Sequence, residues 1–460
     1  MQQGLNGWRR SKPSPPAKPL ALGRCVASLL ALGRCGAGLL ALGRWGASPL
    51  ALGVVALLLG PLPARAQQSL TIAAFPAVDD IVRAAIPQWK ALHPTVDIKV
   101  VSRQFSDHHT AMTTALSTAV YLPDVMALEV GYLGRFAQGG GLDDLALAPY
   151  NIGQFRARYV PYAYAQATSR SGRVVAAPTD IGPGTLLYRS DLLAQAGISE
   201  AELTQSWDSY VAAGVRLKAR TGAYLMAHAR DIKDIVIRTG IQPGEGLYFD
   251  QQSRVLVTSP RFVRAFELAR RVRQQKLDAR VAAWSNEWSE GFKRGTIASQ
   301  LTGAWLAGHL GNWLAPVTRG LWRAAPLPEG AFAAYGGTFL AIPRGAAPAN
   351  KMLAWQFIQL LTLDRGLQLA AFKAQDAFPA LLEVYDDAFF DQPIAFLGGQ
   401  AARVGWRAAA RRITAVDVHK QDAFADEVIN TELDKVLDRG KDITTALADA
   451  QRLLAQRATR

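Results

Sequence analysis

Between residues 69 and 129 strand-like and helix-like hydrophobic patterns alternate, and that alternation leaves few folds open. Ser69-Leu-Thr-Ile-Ala-Ala-Phe75 reads as a buried strand. Asp79 or Asp80 is placed to cap a helix whose apolar residues Val82, Ala85, Ile86 and Trp89 fall at helical spacing, with Pro94 after its end. Val96, Ile98 and Val100 alternate as a second strand. A second helix, opened by Ser106 or Asp107 and running through Met112, Leu116 and Ala119, leads to a third strand over 123–129. Strands joined through helices must pair in parallel with right-handed crossovers, so the chain begins as an open α/β sheet.

The far end is helical. Ala354, Phe357, Ile358 and Leu361 share one apolar face, and Ile429, Leu433, Val436 and Leu437 another that Gly440 stops. Asp442 or Thr444 opens a last helix with Ala446, Leu447, Ala450 and Leu454 inward. A chain of 460 residues is long enough for two domains. No Pro/Ser-rich linker follows residue 67, so the chain is expected to cross between its domains more than once.

Residues 1–66 read differently. Ala-Leu-Gly-Arg recurs at 21–24, 31–34 and 41–44, and Pro49–Pro61 is an apolar run too short to span a bilayer. Ala64-Arg65-Ala66 then offers small residues where a signal peptidase cuts, which predicts an exported protein starting at Gln67. Both cysteines, Cys25 and Cys35, precede that site, and each follows an arginine where a lipid-attachment signal needs a small residue. The formal charge of +14 suggests nucleic acid until it is located: eight basic residues and no acidic one lie in 1–66, leaving +6 on the rest, scattered. A nucleic-acid partner is therefore not expected.

Several stretches of the exported part resemble the family 1 extracellular solute-binding proteins of ABC importers, the group that includes maltose-binding protein. They are Leu70-Thr-Ile, Trp89-Lys-Ala-Leu-His-Pro94, Leu122-Pro-Asp-Val125 with Gly141-Leu-Asp-Asp-Leu145, and Ala177-Pro-Thr-Asp-Ile-Gly-Pro183 followed by Leu187-Tyr-Arg-Ser-Asp. Further matches are Phe292-Lys-Arg-Gly295, Gly303-Ala-Trp305, Gly336-Gly337 and the closing stretch from Gly440 to Ala450. The resemblance covers nearly all of 69–455. It implies a two-lobed, type II-like periplasmic-binding-protein fold with a hinge and an interlobe cleft, with crossings near 177–182, 336–342 and 395–415. Lobe 1 would comprise 67–178 with 338–395, and lobe 2 would comprise 179–337 with 396–460. It also implies a periplasmic, monomeric protein that binds a carbohydrate and delivers it to membrane permease subunits, with no cofactor and no enzymatic activity.

A sugar offers hydroxyls in its ring plane and C–H bonds on its faces. Carboxylates accept charge-assisted bonds from the hydroxyls, and aromatic rings cover the faces. Glu129 lies at the carboxyl end of the third strand, where open α/β sheets place ligands, although a solvated loop carboxylate would look the same. Asp180 stands on a Gly/Pro-rich segment at the first implied crossing, with a turn-forming role as the alternative. Trp305 matches the family's stacking tryptophan. Gly336 and Gly337 let backbone approach the ligand or let the hinge bend. Trp284 and Trp288, four apart in Ala283-Trp-Ser-Asn-Glu-Trp-Ser289, would share a face on a helix, with core packing as the alternative to stacking. Phe75 and Asp79 would lie at the cleft mouth, and Phe378 and Trp406 are weaker candidates. His108-His109 is not expected to bind metal: adjacent helical residues diverge, and no Cys or third His is near.

Two carboxylates in a cleft also raise the possibility of a glycoside hydrolase. Such an enzyme needs its carboxyls held across one bond, and no motif fixes Glu129 and Asp180 in that relation; G-x-S-x-G, H-E-x-x-H and the P-loop are absent. The same fold with a polyol, glycerol phosphodiester, polyamine or peptide ligand is the nearer alternative. A secreted interaction protein with the same two lobes is the third.

Overall fold

The computed structural model describes residues 68–458, so the expected leader and its cleavage site lie outside the described residues. The opening units form as the hydrophobic pattern requires. Strand β1 (Gln68–Ala74) buries Leu70, Ile72, Ala73 and Ala74, and helix α1 (Val78–Leu92) lays Val82, Ala85 and Trp89 against the sheet. Strand β2 (Val96–Ser102) pairs in parallel with β1 along its whole length, from Gln68 opposite Val96 to Ala74 opposite Ser102. Helix α2 (Phe105–Thr118) then returns the chain to β3 (Val125–Glu129), parallel to β1 on its other edge. Neither helix is capped as the sequence suggests. α1 starts at Val78 without a side-chain cap, and Asp79 and Asp80 sit in its first turn, where the helix dipole favours acids. α2 begins at Phe105, one residue before Ser106.

Five more strands complete the sheet: β4 (Ala177–Arg189), β5 (Ser299–Gly303), β6 (Trp322–Ala325), β7 (Ala334–Ala341) and β8 (Phe378–Pro379). The order is β2-β1-β3-β7-β4-β5, with β6 and β8 also on β4. The 13-residue β4 is the spine. Its first half pairs antiparallel with β7 and β8, and its second half with β5 and β6. Register shifts fall between Pro178 and Asp180 and between Ile181 and Pro183, bulges that bend the strand where it changes partners. Gly182 is needed at that bend, because a methyl there would stand 1.9 Å from the Tyr335 carbonyl oxygen.

Buried apolar side chains form two clusters. The first packs around β1–β3, α1, the Pro348–Leu363 helix and the Phe372, Phe378 and Phe390 rings, and continues into Trp288, Phe292 and the 304–315 segment. The second is built by the helices Trp207–Thr221, Pro260–Gln274, Asp422–Arg439 and Ile443–Ala458. β4 carries residues of both clusters, Ala177, Ile181 and Leu187 in the first and Leu186 and Tyr188 in the second, and the chain moves from the first to the second again between Ala410 and Ala425. The two closing helices agree with the sequence: the first ends at Gly440 with φ 68°, and the Thr445 N–H bonds the Asp442 carboxylate at the head of the second. No helix among the described residues is long and apolar enough to cross a membrane.

Candidate functional site

Strand β7 brings the two carboxylates together. Thr338 on β7 is opposite Glu129 on β3 and also opposite Asp180 on β4. Directly opposed residues point to the same face of a sheet, so Glu129, Thr338 and Asp180 form one row across three strands. Two strand spacings separate the carboxylate residues, about 10 Å.

Each end of that row is held. Glu129 is the N-cap of helix α3 (Val130–Gln138), and its carboxylate accepts from Gly131 N at 2.7 Å. Its own N–H donates to Nε2 of His109 at 3.1 Å, and His109 Nδ1 donates to the Phe105 carbonyl at 2.8 Å. Both ring nitrogens are thereby engaged in a neutral imidazole, which burial keeps neutral down to about pH 4. Tyr132 stacks on that imidazole at 4.0 Å. Burial pushes Glu129 up to about 7; the Gly131 N–H and Arg238 pull against that, while Asp180 and Asp426 add to it. Asp180 is likewise pushed up to about 6 by burial, with the Thr338 hydroxyl and N–H opposing.

The aromatic part is built beside it. Trp305 follows β5 and donates its indole N–H to the Tyr335 carbonyl at 2.9 Å. Two glycines make room for the ring: a methyl on Gly303 would lie 2.3 Å from the indole nitrogen, and one on Gly336 would lie 3.0 Å from it. Gly336 has φ 86° and Gly337 φ 137°, conformations that side chains disfavour, and a methyl on Gly337 would press the Asp180 carbonyl at 3.2 Å. The glycine pair thus seats Trp305 on one side and Asp180 on the other.

Trp284 and Trp288 do not share a helix face. The helix Asn286–Arg294 starts after Trp284, with Ser285 as its N-cap. Trp288 is 2% exposed and reaches Gln300, whereas Trp284, at φ 69°, is 57% exposed, so the core-packing alternative fails for it. Its indole lies 5.9 Å from that of Trp305 with the planes 14° apart. Phe75 is buried, edge-on to Phe105 and beside His109 at 5.4 Å. Asp79 faces Arg83 on its own helix at 3.8 Å. Phe378 and Trp406 are core residues. Phe378 packs among Phe372, Tyr385 and Phe390, and Trp406 donates to the Thr185 hydroxyl at 3.0 Å. His108 is buried and bonded to the Ala127 carbonyl at 2.7 Å.

Sequence reasoning missed several neighbours. Arg238, just past the helix Arg230–Val236, lies over the Tyr335 ring at 4.9 Å and donates to the Asp234 carbonyl at 2.6 Å. Asp426 accepts from the Tyr248 hydroxyl at 2.7 Å, with buried Lys233 at 3.9 Å. Both Arg238 and Asp426 act on Glu129 through space. His309 and Trp313 stand beside Trp284 at 6.0 and 6.4 Å. The spacing Trp305, His309, Trp313 was a readable signal, since residues four apart share a helix face. Among the described residues no cluster of His, Cys, Asp and Glu is arranged to hold a metal ion.

A sheet shared by two halves, with carboxylates and a seated indole where the shared strands meet, defines a two-lobed binding protein. The chain belongs to the bacterial extracellular solute-binding protein family, which residues 74–368 match. It is 26% identical over 369 residues to the lactose-binding protein of Rhizobium radiobacter, covering 76% of this chain and 82% of that protein. It is 23% identical over 269 residues to an arabinooligosaccharide-binding protein of Bacillus subtilis, covering 56% and 61%. Among solved structures, an ABC-transporter-associated binding protein from B. animalis subsp. lactis in complex with β-1,6-galactobiose superposes with TM-score 0.72 at 23% identity, over 85% of this chain and 98% of that one. The maltose-bound T. maritima MalE3 gives TM-score 0.69 at 19% identity, over 84% and 99%. These likenesses show the fold.

Proposed function

We propose that this protein is the extracytoplasmic receptor of an ABC importer and binds a carbohydrate between its lobes for delivery to the permease. The observation that carries the reading is the Glu129–Thr338–Asp180 row set beside Trp305. The row offers carboxylate acceptors to a sugar's hydroxyls, and the indole offers a face to its C–H bonds. The names of the lactose- and arabinooligosaccharide-binding relatives support the ligand class. Residues 67–178 with 338–395 would make one lobe, and 179–337 with 396–460 the other. Export to the periplasm with cleavage at Ala66 accompanies the reading, as does binding without chemistry.

A thermal-shift screen over mono-, di- and oligosaccharides tests the proposal, because a ligand selective for the folded state raises its melting temperature. One or more sugars should stabilise the protein at one site per chain, and the sugar should be recovered intact by chromatography. No stabilisation by any sugar, or cleavage of the sugar, would overturn it.

A further inference from the structure

The Trp305 indole is tied to a peptide that its own sequence leaves free to turn. Its N–H donates to the Tyr335 carbonyl, and after that carbonyl come Gly336 at φ 86° and Gly337 at φ 137°. Two consecutive glycines put no side-chain barrier on the adjoining peptides, so the direction of the Tyr335 carbonyl has to be fixed from elsewhere. The Tyr335 ring supplies that anchor, because Arg238 covers it. The guanidinium carbon stands 4.9 Å from the ring centre, where a planar cation stacks on an aromatic face. Arg238 is itself held. It follows the helix Arg230–Val236 and donates to the Asp234 carbonyl at 2.6 Å, in the last turn, where the helix dipole favours a cation. The Asp234 carboxylate stands at 3.9 Å, and the Arg238 side chain is 24% exposed. Its other charged and titratable neighbours are Asp426 on the helix Asp422–Arg439 and the phenols of Tyr248 and Tyr335. Glu129 feels the same cation. Arg238 and the Gly131 N–H on α3 favour its charge, Asp180 on β4 and Asp426 oppose it, His109 on α2 is neutral, and Tyr132 on α3 lies within reach.

We infer that Arg238 is a positioning residue for sugar binding: it clamps the Tyr335 ring so that the Tyr335 carbonyl holds the Trp305 indole in one orientation, and its charge keeps Glu129 in the ionised form that accepts from a hydroxyl. The inference rests on the carbohydrate reading and deepens it. One side chain thereby serves both halves of the proposed site, through a stack at one end and through a field at the other. The two roles ask for different properties, since the stack needs a flat guanidinium whereas the field needs only a positive charge.

Calorimetric titration with lactose and with arabinotriose between pH 5 and 9 tests both roles, using the wild-type protein, Arg238→Gln, Arg238→Lys and Glu129→Gln. Wild-type affinity should rise with pH through about 7 as Glu129 ionises. Arg238→Gln should lose about 10-fold at pH 7 and only about threefold at pH 9, where Glu129 is ionised in both proteins, its rise having moved up by about 0.7 of a pH unit. Arg238→Lys restores the charge without the flat stack, so it should keep the wild-type midpoint and show only the roughly threefold loss. In Glu129→Gln the part of the rise near pH 7 should vanish. Asp180, at about 6, and Asp422, at about 7 and also within reach of Arg238, stay ionisable there, so a midpoint shift on adding Arg238→Gln to Glu129→Gln would overturn the role of the charge. Tyr335→Leu keeps the cation and removes the ring. It should reproduce the pH-independent loss without moving the midpoint, and it carries the test if Arg238→Gln does not fold. Wild-type affinity and profile in Arg238→Gln, or equal losses at every pH in both Arg238 variants, would overturn the inference. Absence of wild-type binding by every saccharide would overturn the carbohydrate reading itself, and so the two failures are distinguishable.

Discussion

The carboxylate row and the aromatic surface are neighbours made by opposite means. Glu129 and Asp180 sit on strands that each pair with β7, both opposite Thr338, with their charges disfavoured by burial. Trp284 and Trp313 sit on a strained turn and a π-turn with more than half of each side chain in water. Trp305 joins the two, because its N–H is tied to β7's Tyr335 while its ring stacks near-parallel to that of Trp284. In the proposed site the row would fix one sugar in one orientation, whereas the exposed rings would at most add contact area. Substitutions should therefore separate the two by what they cost in binding and in stability.

The largest effect is expected at the joint. Trp305→Ala should cost on the order of 2–4 kcal/mol of binding, about 30- to 1,000-fold in affinity, while the protein stays folded, as titration and circular dichroism would show. Unchanged affinity would leave Trp305 as packing and break the link between the regions. Next comes Gly336→Ala, which adds a methyl 3.0 Å from the Trp305 indole nitrogen at φ 86°. It should lower stability by about 1–3 kcal/mol in denaturant unfolding and weaken binding without touching a ligand atom.

Glu129→Gln should separate binding from stability through pH. Its carboxyl titrates at about 7 in the folded protein, against an ordinary 4.5. The folded state therefore holds this proton more tightly than the unfolded one, and stability falls as pH rises from 4.5 through 7. Glu129→Gln removes the disfavoured charge, so the ligand-free variant should melt higher than wild type at pH 8, with the gap closing towards pH 4.5. It should bind sugar more weakly at pH 8. A variant that melts lower at pH 8 would show the carboxylate to be structural. The smallest effect belongs to Trp284→Ala/Trp313→Ala, where exposed rings contribute little to folding and unfolding free energy should shift by about 0.5 kcal/mol or less. A larger loss would make those rings structural, and the contrast between the regions would fail.

Much of the row was legible in the sequence, and most of its geometry was not. The period of Leu70, Ile72 and Val82, Ala85, Trp89 depends on burial within a few residues, so β1, α1, β2, α2 and β3 could be read locally. Glu129 followed from its place at a strand end. That Thr338 joins it to Asp180 depends on β7 inserting between β3 and β4, a long-range pairing that no local pattern encodes. Arg238 looked like any basic residue after an amphipathic helix, and only the tertiary fold turns it towards Glu129. A shared face for Trp284 and Trp288 required one helix through both, whereas that helix starts at Asn286, two residues after Trp284.

We propose that one sugar is held by the carboxylate row and Trp305 together. A crystal structure of the protein with lactose or an arabino-oligosaccharide tests it most directly. The expected result is an intact sugar with one ring face against Trp305 and hydroxyls within about 3.2 Å of the Glu129 and Asp180 carboxylates. A sugar bound elsewhere, or one found cleaved between those carboxylates, would contradict it.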